Sequence, residues 1–141
     1  MVYTPLVPAK YSITVNGKKI PIDPAAFSTS DDRGTIVDSG TTLVYLPTEA
    51  YDPFVSAIAA AASPLATNQI RGKAVLSSFL KFCLNFAGDV SMHVRPADYL
   101  WLMGVSEGDA MWCVIFGKSD EGSTILGDLV LKDKIIVYDL A

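Results

Sequence analysis

TIVDSGTTL, at residues 35–43, places a single acidic side chain between a short β-branched run and a turn. Residues 35–37 favour a strand, and this strand would deliver Asp38 to its tip. Gly40 permits unusual backbone dihedral angles and a close approach of other backbone. Hydroxyl groups, which can orient a carboxylate and stabilise its charged form, follow at Ser39, Thr41 and Thr42. Asp-Ser-Gly is also an ordinary turn sequence, so its meaning depends on the rest of the chain.

The surrounding sequence predicts a mainly β protein with one helix. Residues 11–15 alternate and end at Asn16-Gly17, a strong hairpin signal, with residues 18–22 as the return strand. The helix is predicted after Pro47, with Thr48 as its N-cap, and a loop is predicted at residues 63–72. Further strands are predicted at residues 43–46, 82–86, 91–94, 111–116 (buried), 124–128 and 135–139.

Length and composition exclude several classes of protein. The 141 residues are 50% hydrophobic and 18% charged, which predicts one folded domain over residues 1–141. The net charge is −4 and no Lys/Arg cluster occurs, so nucleic-acid binding is not expected. No apolar run approaches the ~20 residues of a membrane span, and the first residues do not form a signal peptide.

The chain has two cysteines and one histidine, Cys83, Cys113 and His93. This inventory excludes a cysteine-rich zinc site and a His-pair metal site. The sequence leaves two alternatives for the cysteines: a Cys83–Cys113 disulfide, or two buried free thiols. His93 is expected at or near the surface, without a catalytic role.

These motifs, in this order, resemble the plant-type pepsin-like (A1 family) aspartic peptidases. IVDSGTTL at residues 36–43 is similar to the second active-site motif of that family. The other matching segments are YTPLV at 3–7, YLP at 45–47, EAYDPF at 49–54, LNFAG at 84–88, RPADYL at 95–100 and ILGD at 125–128. The resemblance covers nearly the whole chain and implies one pepsin-like lobe, the C-terminal half of a bilobal β fold.

The resemblance implies a function and roles for particular residues. Asp38 would be a catalytic carboxylate of an aspartic endopeptidase, with Ser39, Gly40, Thr41 and Thr42 supporting its loop. A structural segment beneath the site would be formed by Ile125, Leu126 and Gly127. In the family mechanism two carboxylates share a proton, one activating a water and the other protonating the scissile carbonyl. No cofactor and no metal are implied, and the substrate would be a peptide or a protein.

The chain departs from the family pattern in ways that limit these expectations. It has one Asp-Ser/Thr-Gly motif, so a second lobe, or a second copy in a homodimer as in retroviral peptidases, must supply the other aspartate. Compared with the family pattern, the chain is expected to be truncated at both ends. The family partner of the cysteine in the Trp-Cys strand, here Cys113, is absent, and Cys83 occupies a different position. The family implies the secretory pathway, the vacuole or the extracellular space.

Alternative functions follow from the same residues. The chain taken alone is an inactive fragment or pseudo-enzyme if no second carboxylate joins Asp38, or it is a peptide-binding module. Asp-x-Gly-Thr-Thr also resembles the first phosphate loop of actin and Hsp70-type ATPases. That interpretation is less favoured, because the motif lies mid-chain and its strands do not alternate with helices.

Overall fold

The fold is described by a computed structural model, which covers residues 11–31, 33–66 and 80–137. In these ranges the strands are β1 (Ser12–Val15), β2 (Lys18–Lys19), β3 (Thr35–Val37), β4 (Val44–Pro47), β5 (Phe82–Asn85), β6 (Ser91–Val94), β7 (Leu100–Ser106), β8 (Asp109–Val114), β9 (Phe116–Ser119) and β10 (Thr124–Leu126). The helices are α1 (Thr48–Ala66), α2 (Pro96–Tyr99) and α3 (Asp128–Leu131). The predicted mainly β class is confirmed, and two one-turn helices, α2 and α3, add to the single helix that was predicted.

The first sheet has the antiparallel order β2-β1-β5-β6. Its hairpin turn places Asn16 at φ 49° and Gly17 at φ 78°, the left-handed angles that a two-residue turn of this kind requires. The predicted hairpin is confirmed. The return strand covers only Lys18–Lys19 and not residues 18–22: after one more hydrogen bond, from Ile20 to Ile13, the Ile22 amide turns back to the carbonyl oxygen of Ile20, at 2.9 Å.

The second sheet has the order β3-β10-β4-β9, and this order determines the shape of the motif region. β10 lies between β3 and β4, parallel to the first and antiparallel to the second. The chain segment that joins β3 to β4, residues 38–43, therefore passes over the end of β10. β9 completes the sheet by pairing in parallel with β4.

Helix α1 contributes to the core that joins the two sheets. Phe54 is fully buried, with its ring centroid 5.3 Å from that of Phe82 in the first sheet and 4.8 Å from that of Phe116 in the second. The loop predicted for residues 63–72 is wrong for residues 63–66, which continue the helix. The alanine-rich run before them has high helix propensity and carries the helix past Pro64. Residues 67–72 lie outside the described ranges.

β7 and β8 form a separate two-stranded ribbon. One strand prediction fails in this ribbon and another fails near the end of the described residues. Residues 111–116 were expected as one buried strand, but β8 ends at Val114, Ile115 interrupts, and β9 begins at Phe116. Met111 and Trp112 are 48% and 39% exposed, because the described part of the chain provides no second layer over the ribbon. Residues 135–137 form no strand, and the rest of the predicted strand at 135–139 is not described.

Both cysteines are free thiols, which agrees with the free-thiol alternative and not with a disulfide. Cys83 lies in β5 of the first sheet and Cys113 in β8 of the ribbon, so no disulfide joins these two structures. Neither thiol is buried, since Cys83 is half-buried and Cys113 is exposed. Within residues 11–31, 33–66 and 80–137, no helix is long and apolar enough to cross a membrane, and no metal-binding cluster of three or more His, Cys, Asp or Glu side chains occurs.

Candidate active site

Asp38 directly follows the C-terminal end of β3 in the second sheet. Residues 35–37 pair with β10, and the Asp38 amide continues this pairing by donating to the carbonyl oxygen of Leu126, at 3.1 Å. The chain then turns, and the Thr41 amide donates to the Asp38 carbonyl oxygen at 3.2 Å. Asp38 is therefore fixed on both sides by backbone hydrogen bonds at the tip of a strand.

Two donors from the same turn hold the Asp38 carboxylate. The Gly40 amide donates to Oδ1 at 2.9 Å, and the Thr41 hydroxyl donates to Oδ2 at 2.7 Å. The Thr41 hydroxyl, followed by the Gly40 amide, lowers the pKa of Asp38 below its usual value, against a small opposing effect of desolvation. The carboxylate remains partly open to solvent, so a reactant can reach it.

The loop rests on Gly127, which follows β10. The amide of Asp128 donates to the Thr41 carbonyl oxygen at 2.7 Å, and the next amide, of Leu129, donates to that of Thr42 at 3.3 Å. A Cβ on Gly127 would lie 2.1 Å from the Leu43 carbonyl oxygen and 2.6 Å from that of Thr41. Only glycine allows this close approach, so the loop geometry depends on residue 127.

The structure brings some of the expected site residues together and leaves others apart. Within the described part of the chain, the donors to the Asp38 carboxylate are the Gly40 amide and the Thr41 hydroxyl. Ser39 and Thr42 are exposed at the surface of the loop. Beneath the loop lie Leu126, which is buried, Gly127, and Ile125, which pairs with Ile36 and Tyr45.

Sequence reasoning missed a close contact within the second sheet, between Tyr45 and Gly117. A Cβ on Gly117 would lie 2.6 Å from Cε1 of the Tyr45 ring, so the ring lies directly against this glycine. The two residues are register partners in β4 and β9. An aromatic residue and a glycine facing each other across a ladder is a recognisable pattern only when the pairing is known.

A second carboxylate does not act on Asp38 within the described residues. A nearby negative charge would raise the pKa of Asp38. Among the described residues, however, the one effect that raises this pKa is desolvation. A pair of carboxylates that shares a proton therefore requires an acidic group from outside residues 11–31, 33–66 and 80–137.

Comparison with known protein families identifies the family of this chain. Residues 11–141 match the family described as xylanase inhibitor C-terminal. The chain belongs to this family of pepsin-like C-terminal lobes. The predicted resemblance to plant aspartic peptidases and to a single lobe is thereby confirmed.

The chain is also similar to curated plant proteins that are named as aspartic proteinases. The chain is 34% identical to aspartic proteinase 36 of Arabidopsis thaliana, over 97% of this chain and 32% of the relative. It is 28% identical to aspartic proteinase nepenthesin-1 of Nepenthes gracilis, over 94% of this chain and 33% of the relative. It thus spans about a third of the length of these relatives. The chain is a lobe of the protease family to which these plant relatives belong.

The topology of this pepsin-like lobe also bears on the phosphate-loop alternative. That loop joins two consecutive strands of an α/β domain. Here β10 lies between the two strands that flank Asp38, and helices do not alternate with the strands of the sheet. The geometry of the motif therefore favours the peptidase interpretation.

Proposed function

We propose that this lobe supplies one of the two catalytic aspartates of an aspartic endopeptidase, and that Asp38 is that residue. The observation that carries the proposal is the geometry of its carboxylate, which stands at a strand tip with one donor on each oxygen. Ser39, Gly40 and Thr42 are exposed and Asp38 is half-buried, so the loop surface is free to meet a second lobe and the carboxylate is accessible to a peptide. The substrates are peptides or proteins, and no cofactor takes part.

Asp38 suits the role of the general base in a shared-proton pair. Its hydrogen bonds stabilise the ionised form, so it holds a negative charge at pH values where an ordinary carboxylate is partly protonated. An ionised Asp38 accepts a proton from a water that attacks the scissile carbonyl carbon, while its protonated partner donates to the carbonyl oxygen. The two titrations of such a pair belong to both groups together.

The partner carboxylate comes from a second lobe or from a second copy of this chain. Relatives that are about three times as long as this chain favour a second lobe. A symmetric dimer would place two Asp38 side chains at its two-fold axis and would need no other chain. The secretory pathway, the vacuole or the extracellular space remains the proposed location.

Cleavage assays on the purified chain test the proposal. A denatured protein substrate is incubated between about pH 3 and 6, with and without pepstatin, beside size-exclusion chromatography of the same sample. Pepstatin-sensitive cleavage from a dimer peak supports a dyad of two Asp38 residues. A folded, inactive monomer assigns the second carboxylate to another lobe. Cleavage that Asp38→Asn leaves unchanged contradicts the proposal, and Asp120→Asn, at an exposed turn between β9 and β10, is the matched control.

A second candidate function is protein binding without catalysis. The description of the family that matches residues 11–141 refers to a xylanase inhibitor, which is a binding activity. In this case the lobe binds a polypeptide partner and Asp38 has only a structural role. Inhibition of a xylanase by the chain, equal for the parent and for Asp38→Asn, would favour this function over proteolysis.

A further inference from the structure

One row of the first sheet places a thiol beside an imidazole on the solvent side. Register pairs run across all four strands in the order Lys19, Thr14, Cys83 and His93. The residues on either side of the thiol, Phe82 and Leu84, are 1% and 0% exposed, so they face the core. Because side chains alternate along a strand, Cys83 must face outward.

The Cys83 thiol and the His93 ring are in hydrogen-bond contact. The Sγ atom lies 3.1 Å from Nδ1, and the two residues are direct register partners in β5 and β6. Cys83 is half-buried and His93 is exposed, so a small molecule can reach the pair. A nucleophile and a base within hydrogen-bond reach of each other are the arrangement that activates a thiol.

We propose that Cys83 is a site of thiol–disulfide exchange with small anionic disulfides, with His93 as its general base. Nδ1 takes the thiol proton as Sγ attacks one sulfur of the disulfide. A new S–S bond forms, the original S–S bond breaks, and the second sulfur leaves as a thiolate that recovers the proton from the imidazolium. The products are a mixed disulfide on Cys83 and one free small thiol. No other oxidant is required.

The charge around the pair selects the class of disulfide. Lys19 lies two strands from Cys83, at about 10 Å for a strand spacing of ~4.8 Å, and this is about one Debye length at 0.1 M salt. Lys81, which directly precedes β5 and lies two residues before Cys83, is also exposed. The whole chain has a net charge of −4, so this positive region is local. It favours a disulfide with net negative charge, such as glutathione disulfide.

The second cysteine offers a control inside the same molecule. Cys113 is more exposed than Cys83, and its Sγ atom lies 3.6 Å from the carbonyl oxygen of its neighbour Val114. The chain has a single histidine, which is His93, so no imidazole of this chain activates Cys113. Exposure alone predicts faster reaction at Cys113, whereas activation by His93 predicts faster reaction at Cys83.

Rates of mixed-disulfide formation distinguish these two cases. Cys113→Ser reports on Cys83 and Cys83→Ser reports on Cys113, with glutathione disulfide as the probe and intact-mass spectrometry as the readout. We expect Cys83 to react about tenfold faster than Cys113, a smaller gain than the ~10²–10⁴ of general bases in enzyme active sites, because the pair is open to water. Equal rates, or a faster Cys113, overturn the proposal.

Two further variants test the base and the charge, with circular dichroism to verify that each is folded. His93→Ala is expected to slow Cys83 about tenfold although it uncovers the thiol, and a faster reaction overturns the role of His93. Lys19→Gln is expected to slow the reaction with glutathione disulfide and to leave that with neutral bis(2-hydroxyethyl) disulfide unchanged. An equal response to both probes overturns the anionic class. These outcomes do not depend on the peptidase proposal, because Asp38 takes no part in them.

Discussion

Substitution of Gly127 by alanine is expected to disrupt the loop that carries Asp38. The added Cβ would lie 2.1 Å from the Leu43 carbonyl oxygen, whereas real Cβ atoms do not approach heavy atoms within 3.0 Å. The loop must therefore retreat by about 0.9 Å, and both nearest contacts, Leu43 and Thr41, are backbone atoms that cannot rotate away. Overpacking of this kind costs roughly 1–3 kcal/mol. Loss of the 2.7 Å hydrogen bond from Asp128 to Thr41 adds about 1 kcal/mol.

Urea unfolding followed by circular dichroism measures this effect. Gly127→Ala is expected to lower the free energy of unfolding by about 2–4 kcal/mol, a large part of the ~5–15 kcal/mol of a typical domain. Gly34→Ala is the matched control, because its Cβ would meet Thr29 at an ordinary 3.4 Å. The control is expected to change stability by less than about 1 kcal/mol. A Gly127→Ala variant within 1 kcal/mol of the parent would refute the account of the loop, whereas one that does not fold where Gly34→Ala does would agree with it.

Two further predictions concern carboxylates. Thr41→Val removes the hydroxyl donor while keeping the side-chain shape, so NMR titration should show the pKa of Asp38 rising towards its usual value. Because the folded pKa is depressed, Asp38 stabilises the fold above its unfolded pKa of ~3.9, and the stability difference between parent and Thr41→Val should shrink as the pH falls below that value. An unchanged pKa would contradict the hydrogen-bond assignment. Asp98→Ala removes a side chain that is 0% exposed and accepts three hydrogen bonds from Arg95, and it should lower the free energy of unfolding by about 2–3 kcal/mol. Asp52→Ala, in an ion pair where this carboxylate is 61% exposed, should cost less than about 1 kcal/mol, and equal losses in the two variants would be inconsistent with the burial of Asp98.

The strands that carry local signals could be predicted from the sequence. The hairpin at Asn16-Gly17 combines alternating residues with the one dipeptide best suited to its turn, so its position followed directly. The strand at residues 35–37 and its acidic tip were equally clear. These features depend on neighbouring residues alone, which is why a single sequence reveals them.

The ribbon and the thiol pair could not be predicted, because they depend on pairing between distant segments. Apolar residues at 111–116 usually indicate a buried strand, but their partner β7 has no second sheet packed on it within the described residues. The contact between Cys83 and His93 follows from a register that no local pattern fixes. The contact between Tyr45 and Gly117 has the same origin.

Transfer of this lobe into a complete relative tests the central claim, that Asp38 is a catalytic aspartate, most directly. The matched third of nepenthesin-1 would be replaced by this chain, and pepstatin-sensitive cleavage would be measured between about pH 3 and 6. The account predicts an active chimera whose rate falls by about 10²–10⁴-fold or more with Asp38→Asn and stays unchanged with Asp120→Asn. A folded chimera that is inactive, or one that cleaves equally well with Asp38→Asn, would contradict the claim.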